Sequence, residues 1–350
     1  MEKYTMKLVS KIGYIILSFV LLAHAEARVT MGAVGTHILR VAEPGQDSQL
    51  ISLPFLRTAV SLGRLDGVDA NAESLTDIQG AFNKLREDRS YILRITDGPQ
   101  VGVWFILDAT SVGADFVRVL DDGLAGYLID LSGGEAFSVH ELFTLKELFP
   151  ENSVLLPASS IDANSMQVHF YDGNGFREFW LSNGGITDHV GWTYTDEGQL
   201  KYAGDTAILP GTSFLVFYPN PSVAVDVRLQ GVVLNEPLNI PIYPGYNFVS
   251  VHYSHRFSED GGDLDPRLNH MGLEESGFRS TKSKAVGDLV ISFDPFNGKL
   301  GTHYYLDSKT DVFRPVEDSV DPTSIGLLAK PGNGFVIFND GDSYLWNYAN

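Results

Sequence analysis

Tyr91-Ile92-Leu93-Arg94-Ile95-Thr96-Asp97-Gly98 is a hydrophobic run that ends in an Asp turn, and it has two counterparts in the same chain. Gln167-Val168-His169-Phe170-Tyr171-Asp172-Gly173 is the second, and Leu289-Val290-Ile291-Ser292-Phe293-Asp294 the third. An aromatic follows each Asp after 19, 20 and 19 residues, at Phe116, Trp192 and Phe313. A Gly-x-x-Phe follows after 37, 39 and 38 residues, at Gly134/Phe137, Gly211/Phe214 and Gly332/Phe335. A pattern that keeps its internal spacing three times over predicts repeated structural units. Its invariant members are turn and core residues, not a reactive set.

Each unit reads as β-structure. In the second, Val168 and Phe170, then Phe176, Phe179 and Leu181, flank Asp172-Gly173-Asn174-Gly175. Asp-Gly and Asn-Gly supply the positive φ that tight hairpin turns need. A third strand carries the recurring aromatic and a fourth follows the glycine turn, giving about four strands in roughly 50 residues, the scale of a propeller blade. Three units are too few to close a propeller, which takes about 4–8 blades. The expected fold is all-β, with two β-sandwich or barrel-like lobes built from duplicated units. A 26–160 lobe would hold unit one and a 161–350 lobe units two and three. The boundary falls near Pro157-Ala158-Ser159-Ser160. Asp97, Asp172, Asp294, Gly134, Gly211 and Gly332 are read as structural turn residues, because Asp bonds the backbone of its own turn.

A second pattern lies outside the units. Ile38 to Val41 leads through Pro44-Gly45 to Leu50-Ile51-Ser52-Leu53-Pro54, and Ile240-Pro241-Ile242 leads through Pro244-Gly245 to Phe248-Val249-Ser250-Val251. Ser52 precedes Asp97 by 45 residues and Ser250 precedes Asp294 by 44, which ties the opening pairs to units one and three. Helix is scarce. Leu75, Ile78, Phe82 and Leu85 share one face of a helix expected over 74–87. Thr144-x-x-Glu147 is a capping box that opens a short helical turn closed by Pro150.

The N-terminus carries Lys3, Lys7 and Lys11, an apolar run from Ile12 to Ala23, and Ala23-His24-Ala25. That is the layout of a secretory signal peptide over residues 1–25, cleaved near Ala25. The run is shorter than the ~20 residues a spanning helix requires. No later stretch is long and apolar enough to span as a helix. The expected location is therefore outside the cytoplasm: periplasm, cell surface or medium. The chain has no cysteine, which excludes disulfides and thiolate chemistry. Removing residues 1–25 takes three Lys and one Glu from 25 basic and 44 acidic residues, leaving 22 and 43 and a formal charge of −21. Such a surface repels phosphate backbones, so nucleic acid is not an expected partner.

The segments Ile51-Ser52-Leu53-Pro54-Phe55, Gly63-Arg64-Leu65, Tyr91 to Leu107, Phe143-Thr144-Leu145-x-x-Leu148-Phe149-Pro150 and Gly191-Trp192 together resemble a bacterial family. It comprises exported, β-rich proteins with internal repeats, several copies per genome, and no known activity. Phe143 stands where that pattern has Trp, and the 74–87 segment is more charged. The resemblance implies secretion and a β fold, and brings no catalytic residues with it.

Candidate chemistry is sparse. Asp260, Asp263 and Asp265 alternate on the Gly-rich loop Asp260-Gly261-Gly262-Asp263-Leu264-Asp265-Pro266, whose oxygens suit Ca²⁺. The loop lacks the twelve-residue calcium pattern and its closing Glu, so a solvated acidic loop is the plainer reading, and no other cofactor is expected. His252, His255 and His270 could gather in a loop metal site, although i and i+3 on a strand face opposite ways. No nucleophile elbow, zinc-protease motif or Ser/His/Asp set is present. Trp104, Trp180, Trp192, Tyr304 and Tyr305 are the candidates for an aromatic sugar-binding surface, with core packing as the alternative. The leading functional expectation is an exported, non-enzymatic structural or adhesive module of the cell envelope or surface. A carbohydrate-binding protein with a polysaccharide partner comes second, and a secreted hydrolase third.

Overall fold

The computed structural model describes residues 34–41, 48–120, 124–151, 165–184, 190–218, 225–234, 238–251, 272–282, 287–294, 296–317 and 332–348. Strands β1 (Val34–Val41) and β2 (Ser48–Ser52) come first. Next are β3 (Ala59–Arg64), β4 (Gly67–Asp69), β5 (Ser74–Thr76), β6 (Tyr91–Ile95), β7 (Trp104–Asp108), β8 (Phe116–Val119) and β9 (Ala136–Glu141). The short β10 (Phe143–Thr144) runs into helix α1 (Leu145–Leu148). Then come β11 (Gln167–Tyr171), β12 (Phe176–Asn183), β13 (Val190–Asp196), β14 (Gln199–Tyr202), β15 (Ala207–Ile208), β16 (Ser213–Phe217) and β17 (Val225–Val232). The last are β18 (Leu238–Ile242), β19 (Gly245–Ser250), helix α2 (Leu273–Ser276), β20 (Leu289–Asp294), β21 (Lys299–Asp307), β22 (Val312–Pro315), β23 (Gly334–Asn339) and β24 (Tyr344–Tyr348). The fold is all-β, and every ladder between these strands is antiparallel.

Three sheets carry the three units. Sheet one runs β3-β9-β6-β7-β8-β5-β4, sheet two β14-β13-β12-β11-β16-β2, and sheet three β19-β23-β20-β21-β22. Within each, the fourth strand of the unit lies beside the first: β9-β6-β7-β8, β16-β11-β12-β13 and β23-β20-β21-β22. That 4-1-2-3 order is a Greek key. The glycine before each fourth strand holds positive φ, at +95° for Gly134, +77° for Gly211 and +88° for Gly332. A residue with a Cβ pays for that region of backbone space, which is why glycine recurs there. The Phe that follows each glycine, Phe137, Phe214 or Phe335, is fully buried. Trp192 and Phe313 are buried in the same way, whereas Phe116 is half-exposed and its neighbour Val117 fills the core of sheet one instead.

Strand pairing departs from the division at residue 160. β2 pairs with β16 and β1 with β17, so both opening strands cross from the expected first lobe to strands of the second. β19 pairs with β23 and β18 with β24, all within the expected second lobe. The matching distances from Ser52 to Asp97 and from Ser250 to Asp294 therefore do not reflect equivalent pairing. β2 belongs to the sheet of unit two, and sheet one, residues 59–141, is inserted between β2 and α1. Helices α1 and α2 sit at matching points. Phe149, just after α1, packs on Trp192 at 6.0 Å, and Phe278, just after α2, packs on Phe313 at 5.5 Å.

Sheets two and three are joined through backbone. Ser52 N donates to Gly332 O at 3.0 Å, and Ser250 N donates to Gly211 O at 3.0 Å. Ile51 bridges Asn333 and Thr212 bridges Val249 at the same places. Leu50, Leu215, Ile291 and Val336 form a shared apolar cluster over the join. Sheet one is tied on differently. Arg57 and Arg89 both pair with Glu141 and Glu147, at 2.6–3.3 Å, which locks the strand ends of sheet one to α1. Glu147 also accepts from Thr144 N at 2.9 Å, as the capping box requires. Burial would raise the Glu147 carboxyl, but the Thr144 hydrogen bonds and Arg57 outweigh it and hold it below its ordinary range.

No helix forms across 74–87. Residues Ser74–Thr76 are strand β5, and only Ala81–Lys84 coil, as a single 3-10 turn. The buried Asp77 carboxylate takes the N–H groups of Gln79 and Ala81 at 2.8 and 3.0 Å, and Gly80 sits at φ +78°. Those bonds offer the backbone an alternative to the helical ladder. Leu75 and Phe82 are buried as the periodicity implies, but Ile78 is 70% exposed.

A Cβ on Gly332 would lie 2.5 Å from His37 Nε2, and one on Gly211 2.8 Å from Ile240 Cγ1, while one on Gly126 would meet nothing within 4 Å. Gly332→Ala and Gly211→Ala are each expected to lower the unfolding free energy by about 1–3 kcal/mol. Gly126→Ala should stay within about 0.5 kcal/mol of the parent. Denaturant titration of the three variants checks this, and equal effects at all three would remove the special role of the two turns.

Candidate functional site

The β11–β12 hairpin of sheet two turns through Asp172-Gly173-Asn174-Gly175. Asp172 Oδ1 accepts from Asn174 N at 3.1 Å and Gly175 N at 3.2 Å, and the Tyr171 hydroxyl donates to Gly173 O at 3.0 Å. The turn puts Tyr171 opposite Phe176, with ring centres 5.4 Å apart. In sheet three, β19 carries Tyr246 and Phe248 two residues apart, hence on one face. Phe248 lies 5.1 Å from both Tyr171 and Phe176. Tyr246 leans on Phe338 at 5.0 Å. The turn before β19 is braced by Asn247, whose side chain accepts from Tyr243 N at 2.8 Å and donates to the carbonyls of Tyr243 and Gly245 at 2.7 and 3.0 Å.

Tyr171, Tyr246 and Phe248 border a cleft of about 440 Å³ where the three sheets meet. Sheet one contributes Trp104, sheet two the Tyr171–Gly173 turn, and sheet three Tyr243 to Val249, with Pro210 and Pro241 in the walls. A groove of about 350 Å³ shares Tyr171, Tyr246 and Phe248 and runs on to Phe293 and Leu300 of the β20–β21 hairpin. Phe176, Tyr243 and Tyr246 are 41%, 39% and 43% exposed, high values for large rings. Partly exposed aromatics around a concavity offer flat apolar faces with hydroxyls at their edges, a surface suited to ligand binding.

The aromatics singled out from the sequence are elsewhere. Trp104, Trp180, Trp192, Tyr304 and Tyr305 are all buried, so they form no exposed sugar-binding platform. Trp192 donates to Phe149 O at 2.9 Å, and Trp104, which alone of the five reaches the cleft wall, donates to Asn239 O at 2.8 Å. The correction has a simple cause. Their strands are covered on both faces at these positions, so alternation along a strand does not select an exposed set there. The three Asp residues occupy turns, though not identically. Asp294 Oδ1 accepts from Phe296 N at 2.9 Å, much as Asp172 caps its own turn. Asp97 reaches across to Ala136 N and pairs with Arg64 at 2.9 Å. Asp260, Asp263 and Asp265 lie outside the described residues, as do His252, His255 and His270. Asp340-Gly341-Asp342 is a turn in which Asp340 pairs with Arg279 at 3.3 Å. The cleft aromatics left a signal of their own. Tyr171 and Phe176 flank a hairpin turn, and Tyr243-Pro244-Gly245-Tyr246-Asn247-Phe248 alternates rings around another.

Among the described residues no three His, Cys, Asp or Glu side chains gather as a metal-binding group. His140 Nε2 lies 2.8 Å from Ser138 Oγ, but its Nδ1 faces the Arg57 carbonyl at 2.6 Å instead of a carboxylate, and both side chains are buried. Neither lines the cleft. This pair is part of the core of sheet one. No family model matches the chain, nor does any curated protein or solved structure.

Burial pushes the His140 imidazole from 6.5 down to about 4; the Arg57 hydrogen bond opposes this and the Arg94 guanidinium assists it. His37 and His169 are lowered by burial as well. With the folded value depressed, the unfolded chain takes up the proton first. The stability of neutral burial is whole above 6.5 and is lost as pH falls from 6.5 to about 4. Chemical denaturation at several pH values in that window should show a progressive loss. His140→Gln should be less stable at neutral pH yet show a smaller loss on acidification; an unchanged slope would assign the effect to other groups.

Proposed function

We propose that this chain is an exported, non-enzymatic adhesive module that holds a polysaccharide in the aromatic cleft. The observation that carries the reading is the set of partly exposed rings, Tyr171, Tyr243, Tyr246 and Phe248 around an open cleft built from three sheets and Phe176 in the groove that adjoins it. Sugar rings present apolar C–H faces that stack on such aromatics, and their hydroxyls find acceptors in the Asp172 carboxylate and the tyrosine oxygens. The charged N-terminus, the apolar run after it and Ala23-His24-Ala25 support export. The family resemblance supports the same location. The repeated strand order of the three sheets supports an origin by duplication, with the cleft formed where the copies meet.

The test is retention of the purified mature chain on a panel of insoluble cell-wall and extracellular polysaccharides, followed by calorimetry on the best binder. Tyr246→Ala and Phe176→Ala remove half-exposed rings and should weaken binding about tenfold each, or about 1.4 kcal/mol. Binding that ignores both substitutions would place the site elsewhere, and no retention on any polysaccharide would overturn the reading.

A further inference from the structure

We propose that the polysaccharide in this cleft is cationic, carrying free amino groups; this rests on the polysaccharide reading above and narrows it. Among the described residues that line the cleft and the adjoining groove there is no Lys, Arg or His, and Asp172 is the one carboxylate. Asp172 is exposed, and its turn uses only Oδ1, so Oδ2 meets no donor among the described residues. Pro210, Pro241 and Pro244 remove three backbone N–H groups from the wall while leaving their carbonyls. The lining therefore offers an uncommitted carboxylate oxygen and no side-chain cation.

An anionic glycan would bring carboxylates or sulfates to a wall with no cation to receive them. A protonated amine meets the opposite situation. It can pair with Asp172 Oδ2 while the faces of Tyr171, Tyr246 and Phe248 attract its charge. Nearby cations are turned elsewhere. The Arg177 guanidinium lies over the Tyr194 ring at 5.9 Å, and Lys299 alternates with Leu300 along β21, which directs it away from the groove. At longer range the formal charge of −21 on the mature chain draws cationic polymers in.

The experiment is calorimetry of the mature chain with three oligosaccharides of matched length: deacetylated chitin fragments with protonated amines, the same fragments N-acetylated, and oligogalacturonate. The cationic series should bind at least about tenfold tighter than the neutral one. That preference should shrink with added salt. Asp172→Asn keeps the Oδ1 acceptor of the turn, and it should abolish the preference while retaining neutral binding. Asp205→Asn, an acidic position outside the cleft lining, should leave the preference intact. Neutral fragments binding as tightly as cationic ones, or a preference that survives Asp172→Asn, would overturn the charge inference and leave the polysaccharide reading standing. Failure of all three glycans to bind, together with no retention on the polysaccharide panel, would overturn both.

Discussion

Two backbone hydrogen bonds, Ser52 N to Gly332 O and Ser250 N to Gly211 O, fix sheets two and three against each other. They are reciprocal. The opening strand of each sheet donates to the glycine turn that leads into the fourth strand of the other. Such bonds require the two backbones to approach without an intervening side chain. The seam is accordingly built of small residues: Ser52, Ser213, Ser250, Gly211, Gly332 and Gly334. A Cβ on Gly334 would lie 2.4 Å from Ser213 Cβ. The apolar cluster of Leu50, Leu215, Ile291 and Val336 then covers the join. Backbone polar groups left unpaired in that buried seam would carry their full desolvation cost, so the bonds define the approach as well as adding to it.

Sheet one is held by hydrogen bonds on one side and by ion pairs on the other. Trp104 Nε1 donates to Asn239 O at 2.8 Å, and Asn239 N donates to Gly102 O at 3.0 Å, which hooks the β7 side of sheet one onto β18. The four-member network of Arg57, Arg89, Glu141 and Glu147 holds the other side. Its side chains are only 19–28% exposed, so each charge is half withdrawn from water and compensated twice. A shared network of this kind costs less side-chain entropy per contact than isolated surface pairs, which contribute little. The aromatic cleft is lined by Trp104 and Ile240 beside this hook and by Gly211, Thr212 and Val249 at the seam of sheets two and three.

Much of this architecture was legible in the residues. Gly134, Gly211 and Gly332, like Asp172 and Asp294, read as turn residues, because turn signals arise from the local backbone. Thr144 and Glu147 announced a helix start for the same reason. Pairing between distant strands is not local, and spacing does not report it. Ser52 and Ser250 are equivalent to each other, but the residues inserted after Ser52 are a complete sheet, and spacing alone cannot reveal which unit a strand joins. Burial separates the aromatic site from the largest rings in the sequence. Trp104, Trp180 and Trp192 look like recognition residues because of their size, yet a sheet covered on both faces buries either set. The exposed rings are beside turns, where a strand leaves its cover, and that context separates Tyr171, Phe176 and Tyr246 from the core aromatics.

The position of sheet one in the chain also governs the order in which the molecule can be completed. Its seven strands all come from the continuous stretch 59–141, so this sheet can close as soon as that stretch is available. β2 is made earlier but has to wait for β16, which arrives only after the whole of sheet one and most of unit two. During that interval β2, with Leu50 and Ile51 set between polar residues, is an unpaired strand, whose open backbone can recruit foreign partners. Long-range pairing of this sort also slows folding. The hazard for this protein is thus concentrated in time, between the closing of its inserted sheet and the arrival of the strand that captures its first one.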